Sequence, residues 1–293
     1  MPPSRVLDEI RTLDPRGDAQ RIARLSAGVD FPWDTRRAYE LALLKTFAIP
    51  SSSRLLVATG RFLTRAAERH DATVTIVATL GLHGYDSPEG RAALRAMNLA
   101  HRAHPIPADE YRYTLSLFVL EPLRWNARFG WRTLDPVERE AGFHFWREVG
   151  RRMAIEGLPD TLEAMEAESL AFEERRVGFD PANRRLLDVT LDLTIGRTLP
   201  GPLRSAGRPA GRRALAALLE PRFVRAFGLP EPGAVERAAV PAALRTRAAV
   251  VRRLPRRTRP VGLPPLAEAP DLTTLRGTAA GERAAGPETP PGA

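Results

Sequence analysis

Apolar residues recur at three- and four-residue spacing through windows 38–47, 61–82, 91–101, 111–129, 136–153, 161–175 and 182–199, and strand-like alternation is hard to find. A chain patterned this way buries one stripe of each helix against its neighbours, so the expectation is an all-α fold. The punctuation agrees. Asp135 before Pro136 and Asp180 before Pro181 each set an N-cap acceptor ahead of a proline at the first helical position. Gly84 and Gly130 are natural stops, and Pro105 and Pro107 break the chain just after His104. Two segments depart from the pattern. ATVTIVATL at 72–80 is rich in β-branched residues between helical flanks and reads as a buried helix, with a short strand as the alternative. Pro122 interrupts YTLSLFVLEPLRW and predicts a kinked core helix, which would bring Glu121 to a place where backbone carbonyls or a cofactor can be approached.

At 293 residues with 43% hydrophobic content, the chain can bury a single large core. We read an N-terminal extension at 1–14, one globular multi-helix domain at 15–252, and a proline-, alanine- and arginine-rich disordered tail at 253–293. No window holds 18 nearly uncharged apolar residues, and the start, MPPSRVLDEIRTLD, lacks the apolar core of a signal peptide, so a cytoplasmic location is expected. The absence of cysteine excludes disulfides, iron–sulfur clusters, thiolate ligation and covalent c-type haem attachment; any haem must be held noncovalently through another ligand. The net charge of +9 comes from arginine, because Lys45 is the single lysine. Residues 244–259 carry seven arginines and no acid, without the interleaved aromatics of a nucleic-acid stacking platform. They predict a weak peripheral attraction to anionic lipid or nucleic acid and argue against a sequence-reading nucleic-acid domain.

With no cysteine, the five histidines are the natural ligands for a transition metal. His70 and His83 sit beside helix-end and turn signals. His101 and His104 form an HxxH pair that would suit two metal ligands if the last helical turn persists up to Pro105. His144 lies in GFHFWREVGRRM, where Phe143, Trp146, Val149, Gly150 and Met153 can form an apolar wall; as a purely structural group it would be a hydrogen-bonded core imidazole. None of the five has glutamate three residues before it, which removes the di-iron carboxylate pattern. HExxH, GxSxG, P-loop and GxGxxG patterns are absent as well, and GLHGYDSPEG reads as a helix-connecting loop.

The ordered segments FPWDTRRAYELALLKTFAIPS, RHDAT, HGYDSPEGRAALRAMNLAH, IPADEYRYTLSLFVLEPLRW and FHFWREVGRRM resemble the oxygenase MpaB family, which shares its catalytic domain with rubber oxygenase, the latex-clearing protein. The similarity spans about residues 15–230. It implies an all-α fold holding noncovalent haem b, with His101 as the axial ligand and an Arg-x-x-x-Thr pair at Arg69 and Thr73 near the haem. In that reading a neutral imidazole donates to iron, the arginine neutralises a propionate, and Thr73, one turn away, faces the same pocket. His144 and Arg147 would line or buttress it. The position before the threonine, a lysine in the rubber-cleaving branch, is Ala72 here, which implies an open or water-filled sixth site and sets the chain apart from that branch. Glu121 and Glu148 are candidates for the catalytic acid by their place in aromatic helices; as structural charges they would pair with Arg124, Arg147 or Arg151.

The resemblance therefore implies a haem b-dependent oxygenase that uses dioxygen on a hydrophobic, isoprenoid-like small molecule, and a soluble bacterial protein that meets a lipophilic substrate. Two other readings stay open: a noncatalytic helical binding protein that keeps the fold, and a nonhaem metal site built from His101, His104 and an acid. The electron donor and the oligomeric state are left undefined.

Overall fold

The computed structural model describes residues 5–102, 104–255 and 257–261. In chain order the helices are α1 (Arg5–Ile10), α2 (Ala19–Leu25), α3 (Pro32–Thr46), α4 (Pro50–Ala58), α5 (Arg61–Thr64), α6 (Ala66–His83), α7 (Pro88–Arg102), α8 (Ala108–Phe129), α9 (Pro136–Arg152), α10 (Leu162–Arg176), α11 (Pro181–Thr198), α12 (Arg204–Leu218), α13 (Pro221–Ala226) and α14 (Ala234–Arg253). A π-helical turn at Ser26–Asp30 joins α2 to α3, and a 3₁₀ turn at Gly201–Leu203 precedes α12. No strand occurs among the described residues.

The all-α expectation is met, and the β-branched run at 72–80 lies inside α6, where Ala72, Ile76, Thr79 and Leu80 are buried. Window 61–82 is two helices, α5 and α6, interrupted at Arg65. Asp135 caps α9 as its sequence predicts: its carboxylate accepts from Val137 N at 3.1 Å, while Glu138 accepts from Asp135 N at 2.8 Å. Asp180 accepts from Ala182 N at 2.8 Å and opens α11 in the same way. Such caps contribute about 1 kcal/mol each. Pro122 lies within α8, and the helix runs on through it to Phe129.

The domain is organised around α8, which packs along α3 and is flanked by α9 and α10. One core cluster joins α6 to α9 through Ile76, Leu80, Leu94, Phe118, Phe143 and Trp146. A second joins the end of α3 to α11, α12 and α13 through Phe47, Leu186, Leu187, Phe223 and Phe227. Burying each such side chain contributes roughly 1.5–3 kcal/mol. Close helix approach needs small residues: a Cβ at Gly150 of α9 would lie 2.5 Å from Leu115 Cδ2 of α8. Between α6 and α7, Gly84 adopts φ 79°, a left-handed value that glycine takes without steric cost. A Cβ on Gly90 would fall 1.8 Å from the Gly84 carbonyl oxygen. These two glycines fold α7 back against α6, which sets Arg69 and Thr73 on one helix beside His101 on the next.

The segment read as an N-terminal extension contributes α1, whose Val6 and Ile10 pack with Ile22, Val29 and Ala141. At the other end α14 runs to Arg253, and Val261 N donates to Gly28 O at 2.9 Å, so the first residues of the expected tail return to the π turn. The rest of that tail, 262–293, lies outside the described residues. No single helix among the described residues is long and apolar enough to cross a membrane; α3 and α4 pass such a test only as a pair bent by 88°.

Candidate functional site

Arg69 and Thr73 occupy successive turns of α6, and their side chains meet. Arg69 Nη1 donates to Thr73 Oγ1 at 2.9 Å, and Thr73 Oγ1 donates to the Arg69 carbonyl at 3.1 Å. The hydroxyl thus closes a local loop that orients the guanidinium. His101 sits in the last turn of α7, partly buried, its ring edge-on to Tyr111 of α8 with centroids 5.5 Å apart. Burial, the Arg69 charge and His104 together depress its pKa to about 4, so the imidazole is neutral at physiological pH. Its Nδ1 is fully buried and has no hydrogen-bond partner among the described residues. A buried polar atom left without a partner is costly, and a ligand, an ordered water or an acceptor would relieve it. A single histidine with an available lone pair and a cation close by fits the donor set of a noncovalent haem with propionates. Ala72, where the rubber-cleaving branch has lysine, is buried on the same helix.

The structure brings Arg69, Thr73 and His101 together and places the other candidates elsewhere. His144 of α9 pairs with Glu140 one turn earlier, Nε2 to Oε1 at 3.1 Å. Arg147 donates from Nε to Pro159 O at 2.9 Å and also pairs with Asp160, tying α9 to the loop before α10. Neither forms a hydrogen bond or ion pair with Arg69, Thr73 or His101. His104 has left the helix, because α7 ends at Arg102, so the HxxH pair does not share a helix face. Among the described residues no three histidine or acidic side chains converge as a metal-ligand group. His70 lies next to Arg69 with its pKa lowered by burial and by Arg197, and His83 closes α6.

Glu121 is 4% exposed and belongs to a buried ion network. It accepts from Lys45 Nζ at 2.8 Å and from Arg124 Nη1 at 2.9 Å; Lys45 also reaches Glu220 at 3.0 Å, and Arg222 lies 3.3 Å from Glu173. The single lysine of the chain is 1% exposed and stands 4.6 Å from the Phe223 ring. Both cations bond Oε1 of this carboxylate, the pairing expected of a structural charge. Glu148, half-exposed, pairs with Arg152. Sequence pattern offered Arg124 as a partner three residues from Glu121; Lys45, 76 positions away, carries no local signal of that pairing.

Residues 41–253 match the family described as ER-bound oxygenase mpaB/B'/Rubber oxygenase, catalytic domain. The chain belongs to this family. Its relatives include ER-bound oxygenase mpaB of Penicillium brevicompactum, 25% identical over 238 residues, which are 74% of this chain and 59% of the relative. ER-bound oxygenase mpaB' of the same organism is 26% identical over 273 residues, 87% of this chain and 63% of the relative. ER-bound oxygenase mpaB of Penicillium roqueforti is 28% identical over 144 residues, 47% and 48% respectively. The chain thus spans less than two thirds of these relatives. The matched region of this mpaB and rubber oxygenase family member runs from α3 to the end of α14 and contains Arg69, Thr73 and His101.

Proposed function

We propose that this chain is a haem b-dependent oxygenase acting on a hydrophobic, isoprenoid-like small molecule, with His101 as the axial ligand. The observation that carries the reading is the buried, unpartnered Nδ1 of a neutral imidazole, set beside Arg69 in an oxygenase catalytic domain. His101 keeps a lone pair available because its surroundings refuse the proton. Arg69 offers a positive charge to a propionate, and Thr73 is its positioning residue, holding the guanidinium through the bond at 2.9 Å. Arg147 acts at a distance, by tying α9 to the loop before α10, and His144 pairs within α9 itself. Bound haem would supply the activation of dioxygen. Val77 of α6 and Met97 of α7, partly buried at the edge of the main core, would be the apolar groups nearest to a lipophilic substrate bound between these helices.

The test is isotopic. Haem-reconstituted protein, reduced and supplied with a panel of isoprenoid alkenes under ¹⁸O₂, is expected to yield product carrying the label, and the His101→Ala variant none. Unlabelled substrate recovered from fully haem-loaded protein across the panel would overturn the reading.

A contact with anionic membrane through the basic C-terminal region belongs to the same proposal. Arg245, Arg253, Arg257 and Arg259 are exposed, alongside exposed Val250 and Leu254, and this combination suits a peripheral lipid surface.

A further inference from the structure

A cavity of about 70 Å³ lies between the π turn, α3, α8 and α9, on the far side of α8 from the ion network, and His101 is not on its wall. Tyr39, Phe118, Trp125 and Trp146 supply its aromatic walls. They are locked by their own contacts: Tyr39 and Phe118 pack as tilted rings with centroids 5.5 Å apart, Phe118 and Trp146 likewise at 4.8 Å, and Trp146 Nε1 donates to Tyr39 Oη at 3.2 Å. A cavity between rigid aromatic walls does not close on itself when empty.

Its polar equipment is unspent. Asn126 is 5% exposed and lines the cavity, and both its Oδ1 and its Nδ2 are buried without a hydrogen-bond partner among the described residues. An orphaned carboxamide inside a core is expensive, and an apolar residue would serve packing better. The fold makes room for this side chain deliberately: a Cβ on Gly130 would lie 2.5 Å from Asn126 Nδ2. One turn before Asn126, Pro122 also lines the cavity and has no N–H, so the carbonyl of Phe118, four residues earlier, loses its helical donor. Phe118, Pro122 and Asn126 therefore lie along the one face of α8 that lines the cavity. Across from them Gly142 of α9 leaves open space, since a Cβ there would meet nothing within 4 Å.

We propose that this cavity binds a small neutral molecule, or the small neutral end group of a larger one, that carries a hydrogen-bond donor and acceptor side by side, as a primary carboxamide does. Such a group gives one N–H to Asn126 Oδ1 and accepts from Asn126 Nδ2, so that both orphaned atoms of the carboxamide gain a partner. Neutrality follows from the charges that face it. Asp34 accepts from Trp125 Nε1 at 3.1 Å and Arg247 Nη1 at 3.0 Å, and Glu138 accepts from Arg132 Nη1 and Ser26 Oγ, both at 2.6 Å. Each carboxylate is already matched by an arginine, so an incoming ion of either sign finds no spare counter-charge. Size follows from volume: where about 150 Å³ accepts a benzene ring, this space takes roughly three to five non-hydrogen atoms. A porphyrin is far larger, so the proposal stands independently of the iron reading.

The test uses the full chain and acetamide as probe, followed by ligand-observed NMR and thermal shift at neutral pH, with methylammonium and acetate as charged comparators. The wild type is expected to bind acetamide saturably, with a Kd on the order of millimolar for so small a ligand, and to bind neither ion. Asn126→Leu is expected to melt at or above the wild-type temperature and to bind acetamide at least tenfold more weakly. Gly142→Ala, a substitution that favours the helix and projects a methyl into the space, is expected to fold and to weaken binding severalfold. Absence of saturable acetamide binding would leave the cavity to ordered water and overturn the proposal. So would unchanged binding in both Gly142→Ala and Asn126→Leu, or equal binding of either ion.

Discussion

His101 refuses a proton until about pH 4, whereas an imidazole in the unfolded chain takes one near 6.5. The unfolded state therefore binds more protons between those values, and this group costs stability as pH falls from 6.5 towards 4. Urea unfolding of haem-free protein across that window should show a steeper loss of stability in the wild type than in His101→Phe; parallel curves would mean the ring is not held neutral by burial. Because the Arg69 charge contributes to the depression, Arg69→Ala should raise the His101 pKa in an NMR titration, and an unmoved value would separate the two residues. Arg69, Thr73 and His101 leave a trace in the sequence, Arg69 and Thr73 one helical turn apart and all three in an ordered family pattern, while their roles belong to the proposal. Asn126 leaves none, since its orphaned state depends on Gly130, Pro122 and three neighbouring helices, none of which leaves a periodic trace.

The elements divide in the same way. Seven apolar windows became helices because each is long enough to repeat its stripe, and the caps at Asp135 and Asp180 were visible as local chemistry. Short helices such as α1 and α13 hold too few turns to show a period, the break at Arg65 between α5 and α6 leaves no mark in window 61–82, and α12 and α14 carry Pro209 and Pro241 inside them, which blurs the signal. The ion network that fastens α3, α8, α10 and α13 was only half readable, through the Glu121 and Arg124 pair. Removing its lysine should be costly: Lys45→Met leaves buried Glu121 with Arg124 alone and is expected to cost about 3 kcal/mol in denaturant unfolding, the low end for a broken buried pair. Combining it with Glu121→Leu should recover a large part of that loss. A fully additive double variant would show that the two charges do not depend on each other.

The whole molecule joins a helical oxygenase catalytic domain, matched over 41–253, to a basic exposed face on α14. Vesicles containing anionic lipid should bind the chain weakly at low salt and release it at about 0.5 M, where surface charges are screened within a few ångströms. Binding that ignores salt would assign the contact to apolar insertion instead. The central claim concerns iron. Visible absorption of the protein reconstituted with haem, recorded as the reduced form with and without carbon monoxide, tests it most directly when His101→Ala is measured alongside. A stoichiometric Soret band that shifts with carbon monoxide in the wild type and collapses in the variant is the predicted result. A folded wild-type protein that stays colourless, or a variant that keeps the wild-type spectrum, would contradict it.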